Sequence, residues 1–164
     1  TMFNLFTHRL AAPMENMHVL DGFAGSGALG FECLSRGARS TTLVEGNRLV
    51  VKQLQRLADT FEETSRVIHA DFYQFLASHA RPFDLILLDP PFNETDYNLL
   101  LKRLAASQCI KPETMLVLEH PSEIVLSMPR EFAVEVDRAY GRSSIVVAVH
   151  RKDSHENRTL PRNI

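Results

Sequence analysis

His18-Val19-Leu20-Asp21-Gly22-Phe23-Ala24-Gly25-Ser26-Gly27-Ala28-Leu29-Gly30 is the stretch that decides the fold. A short apolar run ends on a carboxylate, turns through closely spaced glycines and enters a helix at Ala28. Glycine lets the backbone turn tightly and come close to a ligand. The predicted helix runs from Ala28 to Ser35 and stops at Gly37. Strand, glycine turn and helix form the opening half of a strand–helix–strand unit.

Outward from that turn the same alternation continues. Thr41–Glu45 reads as a second strand. Asn47 is placed to cap a long helix whose apolar positions Leu49, Val50, Leu54, Leu57 and Phe61 have helical spacing. Val67–Asp71 reads as a third strand, followed by a short helix carrying Phe72, Phe75 and Leu76. Phe83–Asp89 is a fourth strand, apolar enough to be buried on both faces. Tyr97–Ala106 is helical and Met115–Glu119 is a fifth strand. Phe132–Arg138 and Ser144–His150, joined by Tyr140-Gly141-Arg142, read as an antiparallel hairpin. The expected class is α/β, Rossmann-like, with a mainly parallel sheet and helices on both faces. Right-handed crossovers put the carboxyl ends of the strands on one edge, where such sheets bind ligands. Asp21, Glu45, Asp71 and Asp89 are all expected at that edge.

The chain has 164 residues, 45% of them hydrophobic, which suits one domain with a real core. No apolar run spans a bilayer, and Thr1-Met2-Phe3-Asn4 opens no secretory signal, so a cytoplasmic protein is expected. Phe3, Leu5, Phe6 and Leu10 read as one face of a helix already under way, as if the sequence started inside a longer protein. Residues 1–152 are expected to form the domain and 153–164 a polar, disordered tail. Net charge is −2, but six basic and two acidic residues from Arg138 onward make that stretch +4 and the remainder −6. Cys33 and Cys109 suggest no disulfide framework, and the seven histidines have no metal-ligand spacing.

The turn and the strand ends suggest a nucleotide-like cofactor. Gly25, Gly27 and Gly30 match the dinucleotide pattern G-x-G-x-x-G, which on its own fits NAD or S-adenosylmethionine (SAM). Glu45 is placed to accept hydrogen bonds from ribose hydroxyls in either case. Asp21 favours SAM, because a carboxylate there faces a methionine ammonium but opposes a pyrophosphate. Asp71 offers a contact to the adenine amino group. The expected cofactor-binding set is Asp21, Phe23, Gly25, Ser26, Gly27, Glu45, Gly46, Asp71 and Phe72, with no metal.

Asp89-Pro90-Pro91-Phe92 follows the buried fourth strand as a rigid, extended turn. An exocyclic base amine is a poor nucleophile, because its lone pair is delocalised into the ring. The Asp89 carboxylate and Pro90 carbonyl, accepting its two N–H bonds, would favour a localised lone pair and stabilise the developing positive charge. Asp89 would take the proton, and Phe92 would stack on a base rotated out of its surroundings. The expected catalytic residues are Asp89, Pro90, Pro91 and Phe92.

Asp21–Gly30 with Leu34-Ser35-Arg36-Gly37-Ala38, Glu45, the Asp71–Leu76 segment and Asp89–Phe92 resemble, in order and spacing, the bacterial 16S ribosomal RNA guanine-N2 methyltransferases, the RsmD family. Tyr140-Gly141-Arg142-Ser143-Ser144 resembles that family's C-terminal Tyr-Gly-Asp-Thr hairpin, with Arg142 in place of the acid. The resemblance reaches to about Lys152. It implies a class I methyltransferase with a seven-stranded sheet, SAM as cofactor, and methylation of a guanine N2 in small-subunit RNA. The expected partner is 16S rRNA or the assembled small subunit, with no membrane, and a monomer is expected. The family's Arg- and Gly-rich N-terminal arm, expected to touch RNA, has no counterpart in this sequence. Asp-Pro-Pro-Phe is shared with adenine-N6 methyltransferases, so adenine is the alternative target. An NAD-linked oxidoreductase and a non-catalytic SAM- or RNA-binding module are the readings from other classes.

Overall fold

Seven strands form one sheet in the order β3-β2-β1-β4-β5-β7-β6 in a computed structural model that describes residues 2–93 and 95–151. They are β1 (His18–Asp21), β2 (Ser40–Glu45), β3 (Ser65–His69), β4 (Leu85–Leu88), β5 (Met115–Pro121), β6 (Phe132–Tyr140) and β7 (Ser143–His150). Strands β1 to β5 are parallel, and β7 enters antiparallel between β5 and β6. This is the mainly parallel α/β sheet that the alternating pattern predicted, with the seven strands and reversed last hairpin of the class I methyltransferase fold that the family resemblance implied. The expected tail, 153–164, and its basic residues lie outside the described residues.

The helices are α1 (Met2–Phe6), α2 (Ala28–Ser35), α3 (Arg48–Ala58), α4 (Phe72–Ser78) and α5 (Tyr97–Ala106). All four residues of β4 are buried, as a strand covered on both faces must be. Leu20, Ile86, Leu88, Leu116 and Leu118 pack on one face with α4 and α5. Val19, Leu85, Leu87, Val117 and Val147 pack on the other with Phe3, Leu5 and Phe6 of α1.

Three expectations need correction. Asn47 does cap α3, accepting from the Leu49 and Val50 N–H groups at 2.9 and 3.3 Å. The α-helix nevertheless ends at Ala58, and Phe61 lies in a following 3₁₀ segment, where it stacks on Phe31 at 5.1 Å. Leu49 and Leu57 are 71% and 44% exposed, while Leu54 and Ala58 are buried, so the apolar face is narrower than the leucine spacing suggested. The third strand ends at His69, and Asp71 is the N-cap of α4 rather than a strand end.

Gly27 carries the sharpest backbone requirement. Its φ is +81°, and a Cβ there would lie 2.3 Å from the Phe31 ring and 2.8 Å from Leu54. Gly27→Ala should therefore cost about 2–4 kcal/mol, adding overpacking to left-handed strain. A urea midpoint that does not fall would contradict this packing.

Candidate active site

The glycine turn is fastened to both neighbours of β1. The Gly22 N–H donates to Leu87 O at 3.0 Å and the Ala24 N–H to Val44 O at 2.9 Å. The Gly25 N–H donates to Glu45 Oε2 at 2.9 Å, and the Asn47 N–H to Glu45 Oε1 at 3.0 Å. Glu45 is thus oriented by two backbone donors at the end of β2, with lone pairs left for a ligand. A crevice of about 640 Å³ opens here, between the carboxyl ends of β1 and β4, where the strand order reverses.

Of the expected residues, Phe23, Gly25, Glu45, Gly46, Asp71, Phe72, Asp89, Pro90 and Pro91 line this crevice together. Asp21, Ser26, Gly27 and Phe92 do not. Ser26 is exposed and Gly27 is buried under Phe31 and Leu54. Phe92 is 38% exposed outside the lining. Asp21 is 1% exposed, below the crevice floor: Oδ2 accepts the Gly30 N–H at 3.0 Å, and Oδ1 has no partner among the described residues. Asp71 faces the crevice while its Oδ1 caps α4, accepting from the Tyr73 and Gln74 N–H groups at 2.9 and 3.2 Å. The sequence reading missed Gly22, Val44, Ala70, Tyr73 and Thr95 in the lining. Tyr73 was detectable, standing two residues after Asp71. Thr95 was not, because it enters only through its hydroxyl bond to Pro91 O at 2.7 Å.

The donor set fits SAM. Phe23 and Phe72 stand 5.0 Å apart and give the crevice an apolar wall for a base. A Cβ on Gly25, at φ +54°, would meet nothing within 4 Å, so the backbone lies open to a ligand there. The unpartnered Asp21 oxygen leaves a buried acceptor beneath the turn, suited to an ammonium donor. Among the described residues no group of histidine, cysteine, aspartate and glutamate is placed to hold a metal.

At the end of β4 neither the Asp89 carboxylate nor the Pro90 carbonyl has a hydrogen-bond partner among the described residues. Both acceptors remain available to a substrate. Desolvation, and then the nearby Glu119, raise the Asp89 carboxyl to about 6. Asp21 is pushed up to about 7, chiefly by burial. The Gly30 N–H opposes that rise, and the Asp89 and Glu45 charges add to it. Tyr97 packs edge-on to His120, ring centroids 6.1 Å apart, and its phenol is raised by burial and by Asp89 and Glu119.

Residues 1–149 match the family described as Conserved hypothetical protein 95. Ribosomal RNA small subunit methyltransferase D of Haemophilus influenzae is 32% identical over 146 residues, 86% of this chain and 74% of the relative. The chain belongs to this methyltransferase D family. The Escherichia coli member is 32% identical over 144 residues, 87% of this chain and 71% of its own length. A crystal structure from Haemophilus influenzae superposes with a TM-score of 0.80 at 30% identity, covering 93% of this chain and 95% of that one. Family membership agrees with the sheet order and with the reversed last strand, features independent of any single motif.

Both raised carboxyls give stability a definite pH dependence. Their pKa values in the folded chain exceed the ordinary carboxylate value, so the folded state keeps the protons longer than the unfolded chain. Stability from these groups is therefore complete below about pH 4 and is lost as pH rises through 6 to 7. Asp21→Asn should reduce the loss of stability between pH 5 and pH 8, measured by urea unfolding. An unchanged pH dependence would show that Asp21 does not carry this charge cost.

Proposed function

We propose that this chain transfers a methyl group from SAM to the exocyclic N2 of a guanine in small-subunit ribosomal RNA. The observation that carries the chemistry is the pair of unpartnered acceptors, the Asp89 carboxylate and Pro90 carbonyl, at the rim of a crevice suited to SAM. Kinship with small-subunit rRNA methyltransferases supports RNA as the substrate.

Glu45 would hold the ribose, Asp71 and the Phe23–Phe72 wall the adenine, and the glycine turn above Asp21 the methionine end. Bound there, SAM supplies an electrophilic methyl group. The residues of β4 and its turn do the remaining work. Asp89 and the Pro90 carbonyl accept the two N–H bonds of the base amine, turning its lone pair out of conjugation. As the N–C bond forms, positive charge grows on the nitrogen beside the Asp89 carboxylate. The excess proton then passes to Asp89 or through it to water, and S-adenosylhomocysteine is the other product. A carboxyl raised to about 6 is well poised to accept a proton near neutrality. Phe92, exposed directly after this turn, would stack on a base leaving its helix or loop.

The test is to incubate the protein with SAM and small subunits lacking the modification, then digest the RNA and identify the methylated nucleoside. N2-methylguanosine is expected. N6-methyladenosine would move the assignment to adenine, and no methylated nucleoside would contradict the activity. Asp89→Ala should lower turnover by about 100-fold or more while S-adenosylhomocysteine still raises the thermal midpoint. Retained turnover would remove Asp89 from the mechanism.

A further inference from the structure

The β6–β7 hairpin brings an exposed cationic and aromatic face to the same edge as Asp89. Strand register fixes its position. Leu88 pairs with Leu118, so Asp89 and Glu119 stand side by side one residue further on. Glu119 pairs with Ile145, and Ile145 with Arg138. Residues paired directly across strands point to the same face. Arg138 therefore shares a face with Glu119, three strand spacings, about 14 Å, from Asp89. Two pairs further on, and so on the same face, Pro121, Ser143 and Tyr140 form a row at the rim.

The hairpin tip is fastened to that rim. The Ser122 N–H donates to Arg142 O at 2.8 Å, Ser122 Oγ–H to Gly141 O at 3.0 Å, and Ser144 Oγ–H to Ser122 Oγ at 3.2 Å. Gly141, at φ +63°, makes the reversal. Arg138 and Arg142 are exposed, and neither side chain has an ion pair among the described residues. Tyr140 is 49% exposed. Glu119 shares the face of Arg138 but stands two strand spacings away, and the acids of β6 itself are directed elsewhere. Glu135 lies at the bulge of β6, 3.7 Å from Arg9, and Asp137 pairs with Val146, whose side chain packs in the core on the opposite face.

We propose that Arg138, Tyr140 and Arg142 form an RNA platform, the two guanidinium groups holding backbone phosphates and the Tyr140 ring stacking on a base beside the target nucleotide. This rests on the RNA-methyltransferase reading and extends it to a surface outside the crevice. Unpaired arginines suit phosphate oxygens, and an exposed aromatic ring at a rigid rim suits an unstacked base. The bonds to Ser122 hold the platform at a fixed distance from Asp89, which positions the strand as well as binding it.

The experiment is filter binding of 16S rRNA to the full chain over a range of salt, for the parent, Arg138→Gln/Arg142→Gln and Tyr140→Ala. Loss of two phosphate contacts should lower the slope of log affinity against log salt by about 1.4, at roughly 0.7 per contact on single strands. Tyr140→Ala should weaken binding by about fivefold or more without changing that slope. Stabilisation by S-adenosylhomocysteine should match the parent in every variant, showing that the fold and crevice are intact. If the parent binds RNA and the variants bind with the same slope and affinity, the platform is refuted and the RNA reading stands. If the parent shows no RNA affinity, platform and RNA reading fall together.

Discussion

Everything at the active edge depends on the glycine turn being tied to the strands on both sides of β1. Gly22 is bonded to Leu87 of β4, Ala24 to Val44 of β2, and Gly25 to the Glu45 carboxylate. These bonds are available only because β1 pairs parallel with both neighbours, so that three carboxyl ends rise together. Parallel pairing in turn needs crossover helices on both faces, and these bury the leucines of β4 completely. The position of one loop is thus set by the pairing of the whole sheet.

That arrangement concentrates negative charge. The Asp89 and Glu45 charges act on Asp21, and the Glu119 charge acts on Asp89. In the free chain the result is a buried Asp21 carboxyl, raised to about 7, with one oxygen unpartnered among the described residues. A cation entering the crevice would reverse the balance, stabilising the ionised form that burial disfavours. The same acids therefore cost stability without a ligand and favour binding of a positively charged one. NAD, with its pyrophosphate, would meet the opposite balance.

The fold was largely legible because its signals were local and mutually consistent. β4 was readable from an unbroken apolar run, and the β6–β7 hairpin from β-rich runs either side of Gly141. Errors arose where tertiary packing overruled periodicity. Leu49 and Leu57 fit a helical stripe, yet α3 buries Leu54 and Ala58 instead. Asp71 looked like a strand end because a cap and a strand end share one residue type, and only the Tyr73 and Gln74 N–H bonds tell them apart. Within the site, motif residues were found because glycines and prolines punctuate sequence strongly. Val44 carries no such mark and enters the lining through the path of the backbone, and Thr95 stands there beside its hydroxyl bond to Pro91 O. Asp21 was placed on the right edge but not at the right depth, since one sequence cannot show which side of the floor a carboxylate occupies.

The central claim is that the strand-edge crevice is built for the SAM scaffold. The most direct test compares the thermal midpoint of the chain alone, with S-adenosylhomocysteine and with NADH, each ligand near 100 times a typical dissociation constant. Binding should add about 2.7 kcal/mol, a rise of several degrees for a domain of this size. A rise with S-adenosylhomocysteine and none with NADH is the predicted result. A rise with NADH alone would contradict the account and return the glycine pattern to its dinucleotide reading.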